Sequence, residues 1–206
     1  PVEEEGRLND LPLRENFIER VFAHQRWTEF LSRRPKARDL VAWHASEEAL
    51  RRAKNLIEVG CGVGAQLDAV RSLLPDCETY GVEYGAVAAS KARSRGHTVY
   101  EGRFEDLDLP KGHFDAIISI HVIEHVARPD LFLEKCVSLA TPDGFVMIET
   151  PNTDCIDFDL LKRRHWGGYH TPRHWYLFRK ETVESLTQRL GCRLVTCRPY
   201  TMSNFW

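Results

Sequence analysis

The 206 residues contain no apolar stretch of membrane-spanning length, no C-x-x-C pair and no surplus of positive charge. Each absence narrows the choices. Without a long apolar run there is no candidate membrane span. Six cysteines (Cys61, Cys77, Cys136, Cys155, Cys192 and Cys197) lie scattered, which suits a reduced compartment better than a disulfide framework. With 28 Lys and Arg against 30 Asp and Glu, the chain lacks the excess that binds polyanions non-specifically, so nucleic acid is a disfavoured partner. The opening PVEEEGRLND is acidic and polar, unlike a signal or transit peptide, so the expected location is the cytoplasm. No internal repeat stands out, and the length suits one domain with a helical extension.

What is present is an alternation of short apolar runs with helical stretches. Apolar residues recur at helical spacing from about Leu13 to Leu31 and again from Asp39 to Lys54, predicting two helices in residues 1–54, ahead of the core domain at 55–206. The run N55-L-I-E-V-G reads as a buried strand and A65-Q-L-D-A-V-R-S-L-L as the helix after it. The alternation continues through T79-Y-G-V-E-Y, Ala86 to Arg95, H97-T-V-Y-E, D115-A-I-I-S-I, Asp130 to Leu139 and G144-F-V-M-I-E-T. Five strands with helical connections predict an α/β fold with a doubly wound, mostly parallel sheet. A last helix over K180-E-T-V-E-S-L-T-Q-R-L and a strand over R193-L-V-T-C-R follow. The chain ends at Trp206 soon after, so the expected sheet is cut before one further strand.

In such a sheet, ligands bind beyond the carboxyl ends of the strands. There the sequence places Gly60, Gly62 and Gly64 at every second position, a variant of the dinucleotide fingerprint in which the third glycine comes one residue early. The following helix turns its amides and positive end towards a ligand. Glu83 lies about 20 residues beyond the glycines, the spacing at which an acid binds ribose hydroxyls.

Taken in order, I57-E-V-G-C-G-V-G, Y80-G-V-E-Y, E101-G-R-F-E-D-L, F114-D-A-I-I-S-I-H-V-I-E-H-V and L139-A-T-P-D-G-F-V-M-I-E-T-P-N resemble the class I S-adenosylmethionine-dependent methyltransferases. The E-H-V element and W166-G-G-Y-H-T-P-R-H-W-Y-L-F-R-K-E-T-V resemble the bacterial branch that includes ubiquinone-pathway O-methyltransferases. The resemblance implies a Rossmann-like fold, S-adenosyl-L-methionine as cofactor and a small-molecule acceptor, with the helices of residues 1–54 as a lid. It also implies site roles. Gly60 and Gly62 would face the methionine part, Glu58 its amino group, Glu83 the ribose, the backbone near Phe104 with Glu105 the adenine, and His121 the sulfonium, with Cys61 and Tyr84 also among the cofactor-binding residues. Relatives often carry Asp where this chain has Arg103, so the adenine amino contact falls to Glu105 or Asp106, or is absent.

The acceptor side is read from composition. H165-W-G-G-Y-H-T-P-R-H-W-Y-L-F, within a loop at 153–178, concentrates histidines and aromatics, which exclude water and hold a planar or apolar acceptor. His174, after the restricting Pro172, is the leading base, and His125 a second catalytic candidate. A packing role for His174 stands beside this with equal weight. His121, Glu124 and His125 share spacing that would put them on one helix face as metal ligands, but the favoured expectation is no metal there. The rivals to a small-molecule O-methyltransferase are an RNA 2′-O-methyltransferase with a metal at that element and an inactive cofactor-binding regulatory or assembly partner.

Overall fold

The computed structural model describes residues 27–32, 49–154, 158, 169 and 172–198. Its elements in chain order are β1 (Trp27–Ser32), β2 (Asn55–Val59), α1 (Ala65–Leu73), β3 (Glu78–Glu83), α2 (Ala86–Ser94), β4 (Thr98–Glu101) and β5 (Phe114–Ile120). A 3₁₀ turn (Ile123–His125), α3 (Pro129–Leu139), β6 (Ala140–Thr150), α4 (Lys180–Arg189) and β7 (Arg193–Arg198) complete them.

One sheet joins the strands in the order β4-β3-β2-β5-β6-β1-β7. The pairs from β4 through β6 are parallel, and β1 runs antiparallel between β6 and β7. Because both faces are covered, the central strands are apolar at successive positions. Neighbours alternate between the layers: Leu56 and Ile118 join Leu67, Val70, Ala89 and Ala92 of α1 and α2, whereas Ile57 and Ile117 join Phe132, Leu133 and Leu186 of α3 and α4. Gly144 sits where a Cβ would fall 2.9 Å from the Phe114 carbonyl, so the β5–β6 register irregularity has room only for glycine.

The strand order reverses at β2. From there β3 and β4 lie to one side, β5 and β6 to the other, and the crevice beyond their carboxyl ends is the expected ligand position.

Two expectations change. Trp27–Ser32, read from its spacing as the end of a helix, is a strand whose backbone ladders with both β6 and β7; partners on two sides outweigh a short helical pattern. That strand also supplies a seventh member to a sheet expected to lack one. Of the second predicted helix, residues 49–52 are helical, while residues 13–26 and 39–48 of the two predicted helices lie outside the described residues.

Candidate functional site

The glycine loop follows β2. Gly60 and Gly62 have φ of 81° and 54°, a region that favours residues without a Cβ. The Gly60 and Cys61 amides donate to the Val82 carbonyl at 2.8 and 3.0 Å, holding the loop over the end of β3. A Cβ on Gly60 would strike Val122 Cγ2 at 2.6 Å, so the loop presses against the segment after β5. A Cβ on Gly62 would meet nothing within 4 Å, which leaves its backbone facing open space. Cys61 points the other way: its thiol fills the room left by Gly81, and burial pushes its pKa up to about 12.

Glu83 caps this loop. Its carboxylate accepts from the Gly62 amide at 2.9 Å and the Gly85 amide at 2.7 Å, joining the turns after β2 and β3. Tyr84 beside it is largely exposed. Glu58, at the end of β2, is 4% exposed, and its Oε2 has no hydrogen-bond partner among the described residues. Burial, then the charge of Glu83, raises its pKa to about 8. A buried carboxyl with an unused oxygen beside a glycine loop fits the ammonium group of the cofactor that the resemblance implies.

A folded-state pKa above the unfolded value of 4.5 means that Glu58 contributes stability that is full below pH 4.5 and is lost as pH rises through about 8. Glu58→Gln is expected to flatten this fall in Tm with pH while weakening binding of S-adenosylhomocysteine. Calorimetry at pH 7 in buffers of different ionisation enthalpy should show proton release on binding to wild type and less to the variant. Equal release from both would remove Glu58 from the ligand's ammonium.

Outward of Glu83, the Gly102 amide donates to the Glu83 carbonyl at 3.0 Å, so the loop after β4 begins beside the same site. The Phe104 side chain is buried against Phe132, with ring centroids 5.0 Å apart, which leaves its backbone as the part that borders the site. Glu105 and Asp106 each lie 3.9 Å from the Arg103 guanidinium.

On the other side of the glycine loop, β5 is followed directly by His121, whose φ of 53° makes it the one non-glycine residue with positive φ among those described. This strained position aims its ring between two buried acids: Nδ1 lies 3.2 Å from Glu124 Oε1 and Nε2 lies 3.6 Å from Glu149 Oε1. Glu124 is fully buried, accepts from the Thr150 hydroxyl at 3.0 Å, and has Oε1 4.0 Å from His174 Nε2. The Glu124 carbonyl accepts the Trp175 amide at 2.8 Å, which pins the strip carrying His174 to the 3₁₀ turn. His125 places Nδ1 2.8 Å from the Arg173 carbonyl, and its ring stands 4.7 Å from that of His174.

The structure therefore gathers His121, His125 and His174 around Glu124. The metal-ligand set considered from spacing is altered. Only three residues form the helical turn, and His121 stands before it; the group whose ligand atoms lie within 4.8 Å of one another is Glu124, His125 and His174. Glu149 escaped the sequence reading, although a lone carboxylate in the apolar run F145-V-M-I-E-T was a signal for it. His165, Trp166 and His170 lie outside the described residues. Among the described residues no helix is long and apolar enough to cross a membrane.

Residues 22–197 match the family described as Methyltransferase domain. The ubiquinone biosynthesis O-methyltransferases of Nitrobacter winogradskyi and Bradyrhizobium sp. are 32% and 29% identical over 111 residues, covering 51% of this chain and 41% and 43% of theirs. The chain thus spans about two fifths of the length of these curated relatives. A SAM-dependent methyltransferase from Archaeoglobus fulgidus shares the fold with a TM-score of 0.59 at 21% identity, over 76% of this chain and 70% of that one.

Proposed function

The chain belongs to the S-adenosylmethionine-dependent methyltransferase family, and on that premise we propose that it methylates an oxygen of a small-molecule acceptor, with residues 153–178 on the acceptor side. The observation that carries this reading is the adjacency of two sets of residues: the Glu58, Gly62 and Glu83 crevice, suited to the cofactor, and the His121, Glu124 and His174 cluster one turn away. Val122 in contact range of Gly60 joins the two.

The cofactor supplies the electrophilic methyl group. The protein's residues do the rest by holding and deprotonating. Glu83 would hold the ribose hydroxyls and Glu58 the ammonium, while Cys61 keeps the glycine loop seated from below. His121, fixed between two carboxylates, would face the sulfonium. His174 would take the acceptor's hydroxyl proton, and Glu124, 4.0 Å away, would stabilise the resulting imidazolium. Much of the rate comes from alignment of oxygen and methyl carbon. A labelled-methyl transfer screen over phenols, quinones, sugars and oligonucleotides tests the reading. Incorporation into phenols or quinones is the expected result, and incorporation into oligonucleotides alone would overturn it.

The proximity of Glu124, His125 and His174 favours one second reading, a divalent cation that binds the acceptor's oxygen directly. One measurement separates the two. With His174 as the base, chelator-treated protein keeps its turnover and purified protein carries no stoichiometric ion. Stoichiometric metal that is lost in both His125→Ala and His174→Ala would assign the cluster to a cation instead.

A further inference from the structure

Lys135 does not stand out in the sequence, being one charged residue on the outer turns of an amphipathic helix. In the fold its ammonium reaches back across α3 to the loop after β4. There Nζ donates to the carbonyls of Phe104, Leu107 (2.6 Å) and Glu105 (3.2 Å), so all three ammonium hydrogens have backbone acceptors on one four-residue stretch. The same Nζ stands 4.9 Å over the Phe104 ring, which also meets Phe132 edge-on. Burial lowers the pKa of Lys135, against the charges of Glu105 and Asp106, which favour the cation.

The remainder of the loop is held by weaker means. The Asp106 amide donates to the Arg103 carbonyl at 3.0 Å, and the Leu107 side chain closes over Gly102. Thus, beside the burial of Phe104 in the core, it is the Lys135 ammonium that gathers the Phe104–Leu107 carbonyls and orients this backbone relative to Glu83, to which the loop is tied at Gly102. A base attached to a ribose at Glu83 must lie against this stretch, because β4 is the next strand outward and Glu101 is in register with Glu83.

We propose that Lys135 is a positioning residue for purine specificity: by gathering three carbonyls of the Phe104–Leu107 loop onto its ammonium, it sets the edge that reads adenine. This deepens the reading that places the ribose of the cofactor at Glu83, and rests on it. Adenine offers a donor at its exocyclic nitrogen and an acceptor at the adjacent ring nitrogen. Hypoxanthine reverses both, so a loop held in one arrangement distinguishes them and a slack loop does not.

The experiment compares S-adenosylhomocysteine with S-inosylhomocysteine by calorimetry on wild type, Lys135→Met and Lys135→Gln, each checked for folding by thermal denaturation. Wild type is expected to prefer the adenine compound. Lys135→Met should shrink that preference by about tenfold or more, the change produced by losing one ordinary hydrogen bond. Lys135→Gln, which keeps a donor, should fall between them. A wild type without preference would remove the placement of ribose and base itself. A wild type that discriminates, with a folded Lys135→Met that discriminates equally or loses affinity for both compounds alike, would leave Lys135 a merely structural role. If Lys135→Met fails to fold, an unchanged ratio in Lys135→Gln overturns the proposal in the same way.

Discussion

Substituting His174 by alanine should lower turnover by about 10²- to 10⁴-fold, the usual contribution of a positioned base, while leaving S-adenosylhomocysteine affinity within a factor of two or three. The selectivity follows from placement. His174 lies on the strip pinned by the Trp175 and Tyr176 amides to the Glu124 carbonyl, and it faces Glu124 and His125, not the glycine loop. Turnover and binding are to be measured on one preparation, with Tm as a control. A folded variant with near wild-type turnover would remove His174 from the mechanism. Lower Tm together with weakened cofactor binding would assign it the packing role that was equally open from composition. Glu124→Gln is a companion variant, because an uncharged neighbour at 4.0 Å no longer stabilises an imidazolium, so turnover should fall while S-adenosylhomocysteine affinity holds.

The other large effect is expected at Glu83. Glu83→Ala should weaken S-adenosylhomocysteine binding by roughly a hundredfold, since charge-assisted hydrogen bonds contribute about 1.5–3 kcal/mol each. Two losses combine in this variant: the ribose hydroxyls lose their acceptor, and so do the Gly62 and Gly85 amides that the same carboxylate joins at 2.9 and 2.7 Å. Glu83→Gln separates them, because its amide oxygen still accepts from one of those backbone groups, and an intermediate loss is expected. Calorimetry with S-adenosylhomocysteine and NAD on the same protein provides the check. Unchanged binding in Glu83→Ala, or tighter binding of NAD than of S-adenosylhomocysteine in wild type, would contradict the crevice described above.

Sequence alone determined the parts of this protein whose cause is local. Successive buried residues in N55-L-I-E-V and F114-D-A-I-I-S-I are legible because strands covered on both faces need apolar side chains at neighbouring positions. The glycine loop is legible because φ values near 81° and 54° exclude most other residues, and Glu83 because one strand and one helix fix its separation from that loop. Tertiary structure decided what depends on distant partners. Trp27–Ser32 became a strand because β6 and β7 offered ladders on both sides, which no local spacing reports. His121, Glu124, His125 and His174 form one cluster because the chain returns to the 3₁₀ turn some 48 residues later, where the His125 ring meets the Arg173 carbonyl. Lys135 acquired three carbonyl partners from a loop about 30 residues earlier for the same reason. A residue's type and neighbours constrain its backbone, whereas the groups that will surround its side chain are chosen by the path of the whole chain.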